Sequence, residues 1–348
     1  MSDYKHGNFL GLTPILLFVV LVVVSGFIAK DFAAMPILVA FMITAGYALI
    51  LNPKDRKIPL GEKVDIFCAG GGEKTIILLV VIFLMAGAFY SLTIDIGARD
   101  ATVNWALRFV PTSFLLPGLF IISCFISFAM GTSMGTITAI VPIGIGLAEK
   151  IGIPQPLAIG IVIGGAMFGD NLSFISDTTI AATRTQGVRL KDKFRANLII
   201  AIPAALLTVA VLMFVDFNAQ AGLELGSYNF WLILPYLLII ASALFGLNVI
   251  TVLGIGISAA CIVGLSTGTF NLLGLFKSIQ TGMGWMEDLA VIALIIGGIV
   301  ALMKAYGGVD WLMATITKNV KSRKGAEFSI ASLVSFLDLA TANNTIAI

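Results

Sequence analysis

Apolar runs of about twenty residues recur along nearly the whole chain, at 10–29, 33–51, 75–95 and 196–215 among others. In helical form a run of that length matches the hydrocarbon thickness of a bilayer. The runs lack the two-residue alternation of a barrel strand, and backbone groups inside lipid must be satisfied within the chain, so the predicted spanning elements are helices. Two stretches break the pattern. Residues 113–151 are apolar on both sides of a polar, glycine-rich hexad, Gly131-Thr132-Ser133-Met134-Gly135-Thr136, which lies too deep in the run for a surface loop. This predicts a re-entrant hairpin with its tip in the membrane, the alternative being two full spans. Residues 156–168 read as a helix that runs into Gly169-Asp170-Asn171-Leu172-Ser173-Phe174-Ile175-Ser176-Asp177-Thr178-Thr179, where acids and hydroxyls replace apolar residues. That is the pattern of a span unwinding at mid-depth.

The second half echoes the first. Leu12-Thr13-Pro14-Ile15-Leu16-Leu17 is similar to Ile233-Leu234-Pro235-Tyr236-Leu237-Leu238, Gly87 and Gly97 recur at the spacing of Gly298 and Gly308, and Ser127-Phe128 with Thr136-Ile137 pair with Ser335-Phe336 and Thr345-Ile346. Chance matching between two glycine-rich apolar strings is the alternative. The repeat reading divides the chain into a first copy at 1–225 and a second at 226–348. An odd number of crossings in the first copy would invert the second, and ligand sites in such folds lie where the copies meet at the midplane. Residues 141–215 have no counterpart after the second tip. The expectation is therefore that the C-terminal part of the second copy is missing, a second broken span and a final helix with it. The fold class is an all-α polytopic membrane protein with inverted repeats, re-entrant hairpins and a broken transmembrane helix.

Composition agrees. Of the 348 residues 59% are hydrophobic and 11% charged, far from a water-soluble domain. The formal net charge of +2 gives no reason to expect nucleic acid. Basic residues sort by loop: Lys54, Arg56, Lys57 and Lys63 mark one cytoplasmic loop and Arg184, Arg189, Lys191, Lys193 and Arg195 another, while Asp216 and Glu224 fall outside. Cys68, Cys124 and Cys261 are widely spaced and read as core residues. The single histidine, His6, sits in the polar N-terminal tail. A proton carried through the membrane must therefore ride on a carboxylate. The first apolar run has no small-residue cleavage site after it and reads as a retained span.

An ionisable side chain at mid-membrane costs roughly 2.5–3.5 kcal/mol on insertion scales, so it persists where it faces a partner or a water-filled cavity. Asp170 and Asp177 are the candidates for holding Na+, with oxygens from Asn171, Ser173, Ser176, Thr178 and Thr179 and from carbonyls freed by unwinding. Withdrawal from water favours the neutral form of any carboxylate, so one group can hold a proton or a sodium ion in turn. Competition of that kind suffices for antiport. Thr132, Ser133 and Thr136 at the first tip, and Asp338, Thr341, Asn343, Asn344 and Thr345 around the second, offer further oxygens; packing is the alternative for small polar residues in membrane helices. An interhelical loop with capping Asp and Ser residues is the alternative for 170–179.

The run Gly131-Thr132-Ser133-Met134-Gly135-Thr136, followed by Gly169-Asp170 and Ile175-Ser176-Asp177-Thr178-Thr179, resembles the NhaC-type Na+/H+ antiporters of the ion-transporter superfamily over nearly the whole chain. The resemblance implies a cytoplasmic-membrane (inner-membrane) exchanger of bacteria or archaea, built from inverted repeats, with Asp170 and Asp177 as its acids and Ser176, Thr178 and Thr136 beside them. Where the family often carries His-Cys and a proline, this chain has Asn171, Leu172 and Phe174. Related exchangers take lactate and malate or amino acids. The expected partners are thus the sodium ion, the proton and the lipid bilayer, with a small organic anion as the alternative substrate and homodimerisation left open. No cofactor is called for beyond the transported ions. No Lys or Arg lies well inside a predicted span, which favours a bare cation over a carboxylate substrate. An intramembrane enzyme would need a nucleophile with a base or a paired-histidine metal motif, and the single tail histidine forbids most versions.

Overall fold

The structure is a computed structural model that describes residues 7–31, 34–53, 57–174, 176, 178–179, 183, 187–215 and 229–317, and 324, 325, 327, 328, 330–332 and 335 near the C-terminus. Every regular element among them is helical. A 3₁₀ turn at Phe9–Leu12 leads into α1 (Thr13–Ala29), followed by α2 (Ile37–Ile50), α3 (Leu60–Gly71), α4 (Lys74–Asp95), α5 (Ala98–Phe109), α6 (Thr112–Met130), α7 (Ser133–Ile151), α8 (Gln155–Leu172), α9 (Leu190–Met213), α10 (Phe230–Leu244), α11 (Val249–Ser266), α12 (Leu272–Gly284), α13 (Glu287–Ala305) and α14 (Gly308–Thr317). Seven helices among the described residues are long and apolar enough to cross a membrane, both limbs of the 113–151 segment included. The chain is an all-α, multi-pass membrane protein.

Local signals set the helix ends. Pro36, Pro59, Pro111 and Pro154 stand in extended conformation at N-caps, where a missing N–H costs nothing. Pro36 explains why α2 is shorter than the 33–51 run suggests. Asn229, Asn248 and Asn271 cap α10, α11 and α12 by accepting from the amides of Trp231, Thr251 and Gly274. α9 begins at Leu190, ahead of the 196–215 run, so Lys191, Asp192, Lys193 and Arg195 are helical. α8 stays helical through Gly169 and Asp170 to Leu172, two residues past the acid, instead of unwinding at Gly169.

The residues form two compact units, 1–81 with 287–348 and 82–286. In the first, α3 crosses α13 closely: a Cβ on Gly70 would lie 2.4 Å from the Gly297 carbonyl oxygen, and Phe67 covers Gly298. Buried Tyr306 donates to the Ala48 carbonyl at 2.7 Å. Lys63, one of the basic residues expected in the first cytoplasmic loop, is only 4% exposed and donates to the Leu51 carbonyl at 2.8 Å. It closes the C-terminal end of α2, where cations are favoured.

In the second unit, α6, α7 and α8 pack as neighbours, with α9 along α6 and α8, and α10 against α5, α6 and α11. α12 reaches α4 where Gly282 meets Gly87; a Cβ on either would lie 2.1 Å from the other's carbonyl oxygen. Close backbone approach through small residues is how helices pack without a hydrophobic driving force between them. Most of α9 is exposed and apolar, with Ile199 and Ile200 at 74% exposure, a surface suited to lipid.

Helices α1–α5 and α10–α14 follow the same order. α1 and α10 each carry an early proline, Pro14 and Pro235, and a left-handed glycine joins the last two helices of each series, Gly97 and Gly307. The left-handed partner of Gly97 is thus Gly307, one position before the Gly308 suggested by spacing. Each unit draws its first three helices from one series and the last two from the other, the shared α4 apart from its first turns.

Candidate functional site

The site is built where α6, α7 and α8 share an end. Gly131 ends α6 in the left-handed conformation (φ 68°), which a residue without a Cβ adopts freely, and its amide donates to the Ser127 carbonyl. Thr132 then caps α7, its hydroxyl oxygen accepting from the Gly135 amide at 3.5 Å. The tip is two residues long. Ser133 therefore stands in the first turn of α7 and faces the last turn of α8.

α8 is held there by its glycines. A Cβ on Gly165 would lie 2.5 Å from the Phe120 carbonyl oxygen, and one on Gly169 would lie 2.2 Å from that of Cys124. Ser127 of α6 also donates to the Ala166 carbonyl of α8. Asp170 follows Gly169 directly and is half-buried. Its Oδ2 accepts from the Ser133 hydroxyl at 3.0 Å and its Oδ1 from the Ser176 hydroxyl at 2.6 Å. Ser176 in turn lies 2.7 Å from the Thr178 hydroxyl and is 1% exposed.

Predicted ligands thus fall into sets. Asp170, Ser133, Ser176 and Thr178 form one hydrogen-bonded chain of oxygens. Thr132 and Thr136 serve the tip: buried Thr136 donates to the Thr132 carbonyl at 3.1 Å. Ser173 is buried, its amide closing on the Asp170 carbonyl. Asn171 turns to α9, where Asn197 Nδ2 donates to its Oδ1 at 2.8 Å and Lys193 Nζ to its carbonyl at 2.6 Å. Lys193 also donates to the Thr179 hydroxyl at 2.6 Å. Asp177, Asp338, Thr341, Asn343, Asn344 and Thr345 lie outside the described residues.

Lys193 and Asn197 are additions the sequence reading did not make. Lys193 there served as one of five basic residues marking a cytoplasmic loop. The signal available was spacing: at i and i+4 Lys193 and Asn197 share a helix face, and Lys191 and Arg195, also four apart, lie on a different one. Phe174 is stacked on Phe194 of α9 at 4.6 Å and edge-on to Phe128 of α6 at 6.4 Å. A second polar cluster in the same unit, also unforeseen, joins Asp95 to the buried Ser278 hydroxyl at 2.6 Å, with Ser91 beside it.

The arrangement offers hard oxygens, one of them anionic, at the junction of three helix ends. Such a set suits an alkali cation or a proton.

Comparison with known proteins places these residues in context. The family model described as Na+/H+ antiporter family matches residues 8–217. The Na(+)/H(+) antiporter NhaC of Bacillus subtilis (strain 168) is 31% identical over 265 residues, covering 70% of this chain and 56% of that protein. The NhaC of Alkalihalophilus pseudofirmus is 25% identical over 353 residues, or 90% of this chain and 73% of the relative. The Malate-2H(+)/Na(+)-lactate antiporter of B. subtilis is 31% identical over 175 residues, 46% of this chain and 37% of that protein. The matched part thus spans about a third to a half of the two B. subtilis relatives.

Proposed function

The chain belongs to the Na+/H+ antiporter family, and from that premise we propose that it exchanges Na+ for H+ across the cytoplasmic membrane at a site centred on Asp170. The observation that carries the proposal is the double hydrogen bond to the Asp170 carboxylate, from the hairpin tip on one side and the broken segment on the other. Ser133, Ser176 and Thr178 orient the carboxylate and add neutral oxygens around the space it faces. A proton on Asp170 and a sodium ion on Asp170 are mutually exclusive occupants, so each load returns the site to charge balance. Asp177, seven residues on, is assigned as the second acid of the site on the strength of the family motif. The inverted-repeat plan is part of the same reading, supported by the matched order of α1–α5 and α10–α14.

Everted membrane vesicles with a pH-sensitive dye test the proposal. Sodium addition is expected to move protons in vesicles carrying the protein, and Asp170→Asn and Asp177→Asn are each expected to abolish the signal. A wild type that moves no protons with sodium, or an Asp170→Asn variant that still does, refutes it. Adding malate or lactate to the same vesicles tests the organic-acid reading, which rests on the malate/lactate relative: sodium-driven proton movement that appears only with the acid present would favour it.

A further inference from the structure

We propose that Lys193 is a tethered cation that sets how tightly the Asp170 site holds sodium, an inference that rests on the proposed exchange at Asp170. Its ammonium occupies the Asn171 carbonyl and the Thr179 hydroxyl, each at 2.6 Å. Both are hard oxygens of the kind a sodium ion takes. The Asn171 carbonyl belongs to the last turn of α8, where carbonyls lack intrahelical partners, so it is open to any cation within reach. Asn197, one turn along α9, donates to the same carbonyl at 3.3 Å and to the Asn171 side chain at 2.8 Å, which fixes that end of the segment to α9.

Two consequences follow for the transported ion. The oxygens on the α9 side are already satisfied by an ammonium, so the ion is confined to the opposite side, with Asp170, Ser133, Ser176 and Thr178. The ammonium sits on the carbonyl of the residue that follows Asp170, so its charge acts attractively on that carboxylate. It therefore repels any cation that binds there, and in a partly buried setting that repulsion is strong. Lys193 weakens sodium binding and so favours release of the load. Because the repulsion acts on a proton as it does on sodium, the effect is read at mildly alkaline pH, where protons compete less and an ammonium still carries its charge.

Lys193→Gln can still donate to the Asn171 carbonyl but carries no charge, and Lys193→Arg keeps the charge. In everted vesicles at mildly alkaline pH, Lys193→Gln is expected to lower the half-saturating sodium concentration about tenfold, with Lys193→Arg close to wild type. Mere damage to the fold would raise that concentration or lower the maximal rate. An unchanged or raised half-saturation in Lys193→Gln overturns the inference. So does failure of Lys193→Gln to accumulate in the membrane while Lys193→Arg does, since the charge would then serve folding. If wild type itself shows no sodium-driven proton movement, it is the antiport reading that falls.

Discussion

Ser133 is the residue through which the hairpin tip touches the acid. Its hydroxyl donates one of the two hydroxyl hydrogen bonds described above to Asp170, and a hydrogen bond to a charged group contributes about 1.5–3 kcal/mol. Ser133→Ala is expected to raise the half-saturating sodium concentration about tenfold or more, while Thr136→Ala, whose hydroxyl serves its own helix, is expected to leave it nearly unchanged. Sodium titrations of dye quenching on both variants check this; equal effects would show that the tip acts only as packing. At this scale the sequence was informative wherever a polar residue interrupted an apolar run, as at Ser133, Asp170, Ser176 and Thr178. Lys193 escaped because a lysine at the start of a span carries a topological meaning that masks a local one. Which hydroxyls point at the carboxylate depends on how three helix ends meet, and no spacing along one chain encodes that.

Helix α8 connects this chemistry to packing. Gly165 and Gly169 let its backbone lie against α6, and the acid follows the second glycine in the chain. Gly169→Ala would place a methyl 2.2 Å from a carbonyl oxygen, so the helices must part. Overpacking of this kind costs about 1–3 kcal/mol. The expected result is a lower melting temperature of the purified protein in detergent and a loss of antiport; an unaltered melting temperature would contradict the close crossing. Gly160→Ala, where an added Cβ meets nothing within 4 Å, is the matched control. Helices α1 and α4 were legible nearly to the residue from hydropathy alone. The end of α8 was not, since Gly169 and Asp170 read as helix breakers, whereas contact with α6 keeps them helical. The early start of α9 was hidden by its charged first turns.

For the whole molecule, the basic residues outside the spans predict topology. Single cysteines at Lys57 and Lys191, with Cys68, Cys124 and Cys261 replaced by serine, are expected to react with a membrane-impermeant thiol reagent from the cytoplasmic face. Labelling of the two positions from opposite faces would contradict the topology read from the charges. Lys63 is a poor reporter for this purpose, because its ammonium is buried on the Leu51 carbonyl. The polytopic helical class was legible from composition and run length. The grouping of α3 with α13, and of α12 with α4, was not: it depends on glycine-to-glycine crossings between segments more than 180 residues apart.

The central claim is that sodium and a proton compete for one carboxylate, and proton release from purified protein in weakly buffered solution measures it without a membrane. Sodium added to wild type is expected to release protons, and sodium added to Asp170→Asn to release none. Equal release from the two proteins would place the exchanged proton elsewhere and contradict the account.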